Sequence, residues 1–362
     1  MKLALIDECY DAKGFGGISS WTKRLTTYYQ QNGVSHKIFS YSDGLKTRIP
    51  KYIRLFSNLR EMTIYPYLGW RYLPRIEREF DIIHFSTAYS MALYSPKVPA
   101  VISAHYIPTR QNAIYKQLLP FKYKLLFNPI VHHWFRQLER MAYPRADRII
   151  VCKEEFKQYL VESYAVEPGK VRVIKYGLDP SQFSPEWDWQ KKDRMVLFVG
   201  RGSLGKGFDT LVDAAPQIKG DIVAVASRIP KFCWKKIDKL TNLKVVTGIP
   251  SEQLVDLYKR AAVFVMPSLS EGSPITTLEA MACGLPVAAT EEGGGGYIED
   301  GVNGCIFPVR DPECLAQKIN YLFDHPEIAQ EFGSINRARV EQHFTLPAIA
   351  EQVLNVYSEI TN

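Results

Sequence analysis

Two glutamates stand eight positions apart in the stretch SEGSPITTLEAMACG, residues 270–284. Glu271 precedes a short hydroxyl-rich segment, and Glu279 follows it. Carboxylates accept paired hydrogen bonds from vicinal hydroxyl groups, so this pair suits the recognition of a sugar or a ribose. An ordinary interpretation is equally open, with Glu279 on the solvent face of a helix and Glu271 favouring the helix dipole.

The residues around these glutamates predict one strand–loop–helix–strand unit. The apolar run AVFVMPS predicts a strand before the loop, and LPVAAT predicts the strand after the helix. Ser273 can cap the helix, Pro274 suits its first position, and Gly284 ends it. The loop then lies at the carboxyl edge of a parallel sheet, where open α/β folds bind ligands.

Two cations follow another predicted strand in the segment RMVLFVGRGSLGKGFDTLVDAA. Arg201 and Lys206 lie in a Gly-rich loop before a helix. The segment is not a P-loop, because Phe208 stands where a hydroxyl would have to reach magnesium. Two cations at the carboxyl end of a strand suit a diphosphate that is held without a metal ion.

A Gly-rich turn also follows the first predicted strand, KLALID. Gly14, Gly16 and Gly17 allow close backbone approach, and the helix that follows offers N–H groups to an anion. The turn lacks the GxGxxG pattern of dinucleotide-binding proteins, so a simple tight turn is an open alternative.

The alternation of short apolar runs with helix-length segments predicts two doubly wound α/β domains. The first has KLALID, HKIFSYS, DIIHFS, AVISAH, DRIIVC and VRVIKYG as strands, and the second has RMVLFVG, DIVAVAS, LKVVTG, AVFVMPS and LPVAAT. We place the domains at residues 1–177 and 178–345, with a linker near 177–192. Residues 346–362 predict an amphipathic helix with apolar positions at Ile349, Val353, Val356, Tyr357 and Ile360, crossing back toward the first domain.

Length and composition set further bounds. A chain of 362 residues with 46% apolar and 23% charged residues fits a globular protein of two domains. No apolar run reaches 18 residues and the N-terminus has no signal-peptide core, so we expect a cytoplasmic protein. The six cysteines show no CxxC spacing, and we expect reduced thiols rather than a disulfide or a zinc site.

The charge is distributed unevenly. Residues 1–177 contain 27 Lys and Arg against 14 Asp and Glu, whereas residues 178–362 contain 18 against 24. Residues 110–145 mix these cations with aromatic and aliphatic side chains, which fits either core packing or contact with an anionic membrane. No recognition motif supports nucleic-acid binding, and the adjacent His132 and His133 have no matching partner for a metal site.

Taken together, these motifs resemble glycosyltransferase family 4, retaining enzymes of the GT-B fold with two Rossmann-like domains facing a cleft. The resemblance rests on GFGG, DIIHFS, ISAHYIP, ADRIIVCKEE, YGLDPSQFSP, FVGRGSLGKGFDTLVDA, PSLSEGSPITTLEAMACGLPVAAT, GYIEDGVNGCIF and HFTLPAIAEQVLNVY. The spacing of Glu271 and Glu279, with the upstream Arg and Lys, is its most specific part.

The resemblance implies a nucleotide-sugar donor, most often linked to UDP or GDP, on the second domain and an acceptor on the first. Arg201 and Lys206 would hold the diphosphate, Glu279 the ribose hydroxyls, and Glu271 the transferred sugar. Further donor-binding positions would be Gly16, Gly17, Gly248, Ser273 and the N–H groups of Ile275, Thr276 and Thr277. His105 in AHYIP matches the histidine beside the donor sugar, and His84 is either a further site residue or a structural hydrogen-bonder.

The family also implies metal-independent transfer with front-face retention, in which Glu271 orients the sugar. The acceptor would be a lipid or a cell-envelope glycan.

The chain departs from the family at Tyr176, where an Asn is usual, at ASRIP (226–230) and at Ser273. The run Gly293–Gly296 is interpreted as a flexible lid. These departures leave a non-catalytic nucleotide-sugar-binding subunit or sensor as the alternative, whereas an epimerase or phosphorylase fits less well.

Overall fold

The computed structural model describes residues 1–7, 17–40, 64–119 and 129–361. Gly14, Gly16 and Cys9 lie outside this part of the chain. The chain divides into two compact units, Met1–Gly177 together with Leu346–Asn362, and Leu178–Thr345. Among the described helices, none combines the length and the apolar character that a bilayer-spanning segment needs.

The first unit is a parallel sheet with helices. Its strands are β1 (Lys2–Ile6), β2 (Ser35–Phe39), β3 (Ile82–Phe85), β4 (Ala100–Ala104), β5 (Arg148–Val151) and β6 (Val171–Val173). Its helices are α1 (Gly17–Gln31), α2 (Tyr65–Ile76), α3 (Pro108–Leu118), α4 (Pro129–Ala142), α5 (Glu154–Tyr164) and, from the end of the chain, α13 (Leu346–Thr361).

The second unit repeats this design. Its strands are β7 (Met195–Arg201), β8 (Asp221–Ser227), β9 (Leu243–Val246), β10 (Val263–Met266), β11 (Val287–Ala289) and β12 (Gly304–Ile306). Its helices are α6 (Phe208–Ala214), α7 (Lys231–Ile237), α8 (Ser251–Arg260), α9 (Ile275–Ala282), α10 (Glu291–Gly294), α11 (Pro312–Asp324) and α12 (Pro326–His343). Short 3₁₀ turns lie at Tyr89–Met91, Tyr143–Arg145, Pro168–Lys170, Pro180–Gln182, Trp189–Lys191, Leu204–Lys206 and Ala215–Gln217.

The strand orders explain where ligands can bind. The first sheet has the order β2-β1-β3-β4-β5-β6, and the second has β9-β8-β7-β10-β11-β12, all with parallel pairing. The second order is that of the dinucleotide-binding Rossmann fold, and its direction reverses between β7 and β10. These two sheets confirm the predicted doubly wound α/β class.

Apolar side chains cover both faces of the second sheet. In β7, Val196 and Phe198 point into one buried cluster, while Leu197 and Val199 point into another. Successive side chains of a strand alternate between faces, so a strand buried on both sides reads as a continuous apolar run. This is why RMVLFVG was recognisable as a strand. The three-residue β12 was not predicted.

Helix α13 packs within the first unit. Its apolar face buries Ile349, Val353, Val356 and Tyr357, while Ile360 is half-buried. Tyr28 of α1 donates a hydrogen bond to Glu351 of α13 at 2.7 Å. The five cysteines within the described residues are free thiols.

Candidate active site

The loops after β7 and β10 meet at the point where the second sheet reverses its strand order. Connections leave these two neighbouring strands toward opposite sides, which opens a crevice at their carboxyl ends. Arg201 is the last residue of β7, and the SEGSP loop follows β10. The two stretches that the sequence singled out are therefore adjacent, and Lys206 Nζ lies 2.5 Å from Glu271 Oε1.

A glycine makes this approach possible. Gly207 has a φ of +64°, and a Cβ on it would lie 1.8 Å from the carbonyl oxygen of Pro267. Any other residue would clash there, so the loop can seat against the end of β10 only with glycine. Leu269 N–H donates to Gly205 O at 2.9 Å and ties the two loops together.

The charges at this crevice remain partly open to solvent. The side chains of Lys206 and Glu271 are 21% and 10% exposed. Arg201 is exposed and has no ion pair within the described residues. The backbone N–H of Glu271 donates to Glu292 Oε2 at 3.2 Å. The crevice thus holds two cations, of which one is neutralised by a carboxylate.

The start of α9 differs from the prediction in two respects. Ser273 does not cap the helix: the N-cap position is Pro274, and the Ser273 hydroxyl forms a hydrogen bond with the Tyr297 hydroxyl. The Thr277 N–H is not open to a ligand, because it donates to Pro274 O at 3.1 Å. The N–H groups of Ile275 and Thr276 precede this first bond and are the ones that helix geometry leaves without an intrahelical acceptor.

Glu279 is buried rather than on the solvent face of α9. The residue is 7% exposed, and its Oε2 accepts a hydrogen bond from Tyr258 OH at 3.2 Å. The ordinary interpretation as a solvated helix residue is therefore wrong. A buried carboxylate with a fixed hydroxyl partner is oriented, which is what hydroxyl recognition requires.

The glycine run is part of the packed structure and not a lid. Gly293 and Gly294 lie in α10, where the Thr290 hydroxyl caps the helix by accepting from Gly293 N at 3.0 Å. A Cβ on Gly293 would lie 1.9 Å from Met266 O, and one on Gly295 would lie 2.4 Å from Pro274 Cδ. The run is glycine because α10 packs against the end of β10 and the start of α9.

Two further predicted positions border the same edge of the sheet. Gly248, after β9, has a φ of +65°, and a Cβ there would meet no described atom within 4 Å. The ASRIP turn after β8 contains Arg228 with a φ of +56°, a conformation that non-glycine residues seldom adopt. Its Ile229 fills the space beside Gly202, where a Cβ would lie 2.4 Å from Ile229 Cγ1.

In the first unit, His105 follows β4 and is buried. Its Nδ1 lies 2.8 Å from Tyr176 OH, and Tyr176 stacks on Trp21 with ring centroids 4.9 Å apart. Burial lowers the pKa of His105 to about 4, so the ring is neutral near pH 7. The residue that departs from the family, Tyr176, is thus the partner that fixes the orientation of His105.

His84, in β3, has both ring nitrogens engaged. Its Nδ1 lies 2.5 Å from Tyr357 OH and its Nε2 lies 2.7 Å from Ser103 Oγ. Tyr29 OH donates to Tyr357 OH at 3.2 Å, so Tyr357 directs its own hydrogen to His84. Burial lowers the pKa of His84 to about 3. These contacts favour the structural interpretation of His84.

A small cavity of about 10 Å³ lies beside both histidines. That volume suits about one water molecule and is far too small for a sugar ring.

Gly17 begins α1, and a Cβ on it would meet no described atom within 4 Å. Gly16, its predicted companion, lies outside the described residues.

Two family models match this chain. One described as "Glycosyl transferases group 1" matches residues 193–325, and one described as "Glycosyltransferase Family 4" matches residues 15–182. The chain belongs to the group 1 glycosyltransferases. The transferase is 29% identical to an alpha-maltose-1-phosphate synthase of Mycolicibacterium smegmatis, over 73% of this chain and 74% of that protein.

Two further similarities extend over the full length. The transferase is 24% identical to the O-antigen chain mannosyltransferase C of Escherichia coli, with 99% of both chains covered. A crystal structure of Anabaena Alr3699/HepE in complex with UDP and glucose matches with a TM-score of 0.74 and 17% identity, covering 99% of this chain and 100% of that one. The structural match agrees with the GT-B fold expected for this chain.

The sequence indicates the stretches of the candidate site but not the partners of their side chains. Tyr258, Tyr297 and Tyr357 orient Glu279, Ser273 and His84, and each is an aromatic residue in a helix or loop distant along the chain. Aromatic residues in apolar patterns are normally read as core. No signal within the sequence distinguishes a tyrosine that uses its hydroxyl from one that only packs.

Proposed function

We propose that this glycosyltransferase binds the diphosphate of a nucleotide sugar, UDP- or GDP-linked, at the carboxyl ends of β7 and β10 and transfers a hexose. The observation that carries the proposal is the Lys206–Glu271 ion pair across the reversal point, with the exposed Arg201 at the end of β7. A cation held by a partly exposed carboxylate can exchange that partner for a diphosphate oxygen at little cost.

This exchange gives the two residues linked roles. When Lys206 turns to the diphosphate, Glu271 loses its counter-ion and can accept hydrogen bonds from hydroxyls of the transferred sugar. Arg201 supplies the second cation, and the N–H groups of Ile275 and Thr276 supply donors at the start of α9. Glu279, oriented by Tyr258, accepts hydrogen bonds from the ribose hydroxyls.

Departure of the nucleotide diphosphate concentrates negative charge on its terminal phosphate oxygen. Lys206, Arg201 and the start of α9 would stabilise this charge, so our proposal needs no metal ion. We further propose front-face attack with retention, in which that phosphate oxygen accepts the proton of the acceptor hydroxyl. Glu271 then orients the sugar through hydrogen bonds and forms no covalent bond with it.

His105 is proposed to contact the sugar as a neutral group. A phenol is the better donor of the pair, so Tyr176 donates to Nδ1 and the hydrogen of the ring stays on Nε2. The Nε2–H group can then donate to a sugar hydroxyl. Because the neighbouring cavity of about 10 Å³ admits no sugar, this contact has to form from outside that cavity.

We propose a lipid or cell-envelope glycan as the acceptor, with the first unit at an anionic membrane surface. The O-antigen mannosyltransferase similarity supports the glycan class. In α4, Ile130 and Trp134 are 74% and 47% exposed, and they share the helix with the exposed Arg136 and Arg140. Apolar and cationic side chains on one helix surface suit shallow insertion among lipid headgroups.

Calorimetric titration with UDP, GDP and ADP tests the donor site. Because a charge-assisted hydrogen bond contributes about 1.5–3 kcal/mol, Lys206→Ala and Glu279→Ala should each weaken binding of the preferred nucleotide by about 10- to 100-fold. Lys235→Ala, which removes an exposed cation from α7, is the matched control and should bind normally. Unchanged affinity in both site variants would refute the assignment. Turnover that persists in EDTA tests the metal-free mechanism.

The membrane part has its own test. The wild-type chain should float with vesicles containing phosphatidylglycerol at low salt, and Ile130→Ser with Trp134→Ser should not. Equal flotation of the two proteins would show that α4 is not the contact surface. Transfer activity toward a water-soluble acceptor should be unaffected by the double substitution.

A further inference from the structure

An open groove of about 350 Å³ lies on α2 in the first unit, apart from every residue used above. It is lined by Trp70, Arg71, Pro74, Arg75, Arg78 and Tyr94. Sites for small ligands in proteins are clefts of about 300–1,000 Å³, so the groove has the size of one mono- or disaccharide ligand. Its lining combines three cations with two aromatic rings.

The three arginines form one row. Arg71 and Arg75 are spaced i, i+4 and so share one face of α2. Arg78 follows in the turn just after the helix, where its backbone N–H donates to Arg75 O at 3.3 Å, and all three line the groove. All three are exposed, and none has an ion pair within the described residues. Like charges at this spacing repel one another and destabilise a helix. A row without counter-charges is therefore a feature that an anionic ligand would stabilise.

Glu77, the carboxylate that ends α2, is engaged by other groups. Glu77 accepts a hydrogen bond from Tyr94 OH at 2.7 Å through Oε1, and from the backbone N–H of Lys97 at 2.9 Å through Oε2. Both oxygens thus hold the loop after β3 against α2. Tyr94 forms a fixed wall of the groove, and Glu77 forms no ion pair with the three arginines.

The other wall suits a sugar ring. Trp70 is 55% exposed, although large aromatic side chains are normally buried, and it lies one turn before Pro74. The C–H face of a pyranose can pack on an indole ring. Proline has no N–H, so the carbonyl of Trp70 also loses the i+4 partner that a regular helix would supply. That carbonyl can accept a hydrogen bond from a sugar hydroxyl.

We propose that this groove binds a phosphate-bearing saccharide, with the phosphate on the arginine row and the sugar ring on Trp70. Arginine pairs bidentately with phosphate oxygens, and two neighbouring arginines can share one phosphate. A flat lipid surface would use the cations but has no use for the concave shape. The proposal does not depend on the donor site of the second unit.

The test is calorimetric titration of the full chain with glucose 1-phosphate, glucose 6-phosphate, mannose 6-phosphate, fructose 1,6-bisphosphate, glucose and inorganic phosphate. At least one phosphorylated sugar should bind more tightly than glucose and inorganic phosphate. Arg75→Ala and Trp70→Ala should each weaken that binding by about tenfold or more, in line with the loss of one charge-assisted or stacking contact. Arg75→Lys should also weaken it, since lysine keeps the charge but loses the fork.

Lys235→Ala is the matched control and should leave saccharide binding unchanged. Thermal unfolding of the variants should match the wild type, because all the substituted side chains are exposed. Nucleotide affinity should be unaltered in the α2 variants, which separates this result from that of the donor site.

Three results would overturn the proposal. The first is that no phosphorylated sugar binds. The second is that inorganic phosphate binds as tightly as the sugar phosphates and that Trp70→Ala has no effect. The third is that the α2 substitutions abolish only flotation with phosphatidylglycerol vesicles. The last result would assign the arginine row to a membrane surface instead.

Discussion

The two units of this glycosyltransferase hold their polar groups in opposite ways. In the second unit, Lys206 and Glu271 are both charged and partly exposed. In the first unit, His84, His105 and Glu139 are buried, and hydroxyl groups rather than opposite charges contact them. A partly exposed ion pair can exchange partners when a charged ligand arrives, whereas a buried network of hydroxyl contacts fixes geometry and makes stability sensitive to pH.

Glu139 shows the second strategy most clearly. Its side chain accepts hydrogen bonds from Thr109 at 2.5 Å, from Tyr89 at 3.3 Å and from Tyr164. Burial raises the pKa of Glu139 to about 7, although these hydroxyls oppose the shift. The three donors lie on different elements, so one carboxyl group links α4 to α3, to α5 and to the turn after β3.

The largest effect that would test this contrast is an acid-induced loss of stability in the first unit alone. The pKa of His84 is about 3 and that of His105 about 4, whereas unfolded histidine titrates near 6.5. The unfolded chain therefore binds protons that the folded unit does not, and the free energy of unfolding falls as pH falls through this window. At pH 4 the two histidines together should contribute a loss on the order of 5 kcal/mol.

Hydrogen exchange followed by mass spectrometry can locate this loss. After correction for intrinsic rates, protection should decrease in β3 and β4 between pH 7 and pH 4.5 and stay constant in β7 and β10. Equal losses in both sheets would show that the two units do not differ in this respect.

The second prediction concerns Glu139, for which stability changes with pH in the opposite direction. Between pH 4.5 and pH 7 the folded carboxyl keeps its proton and the unfolded one loses it. Stability therefore falls as pH rises through this range, by about 3 kcal/mol. Glu139→Gln should remove this fall, so the variant should gain stability relative to wild type from pH 5 to pH 7.5 in urea titrations. A parallel pH dependence of the two proteins would contradict the raised pKa.

The sequence predicted the strands well and the networks poorly, for a physical reason. Buried strands such as AVISAH and AVFVMPS can be recognised from their local apolar runs. The order of these strands predicts a site at the carboxyl edge of the sheet. The bond between His84 and Tyr357 joins residues 273 positions apart. Nothing local to either residue encodes it. The predicted Ser273 cap does not form, because the Ser273 hydroxyl pairs with the Tyr297 hydroxyl from a different loop.

The third prediction removes one hydroxyl from the first unit. Tyr357→Phe leaves the His84 ring without its donor and Tyr29 OH without its acceptor, which should cost about 2 kcal/mol in the free energy of unfolding. Tyr29→Phe is the matched control: it deletes the same chemical group but leaves the donor to His84 in place, and it should cost less. Equal costs would mean that His84 gains nothing from Tyr357.

The smallest expected effect lies in the second unit. Lys206→Met and Glu271→Gln should each change the free energy of unfolding by less than about 1 kcal/mol, because partly exposed ion pairs contribute little to stability. Both changes should nevertheless weaken donor binding, and thermal shifts with and without nucleotide separate the two quantities. A large loss of stability in either variant would mean that the pair is structural rather than exchangeable.

Helix α13 has a consequence for biosynthesis. On the ribosome, residues 1–177 emerge first, but the tyrosine that completes the bond to His84 is translated only after the whole of the second unit. The second unit is continuous along the chain and can finish folding as soon as it has emerged. The domain that is synthesised first is therefore completed last, and until α13 arrives, the nascent first unit exposes the apolar surface that Ile349, Val353 and Tyr357 later cover.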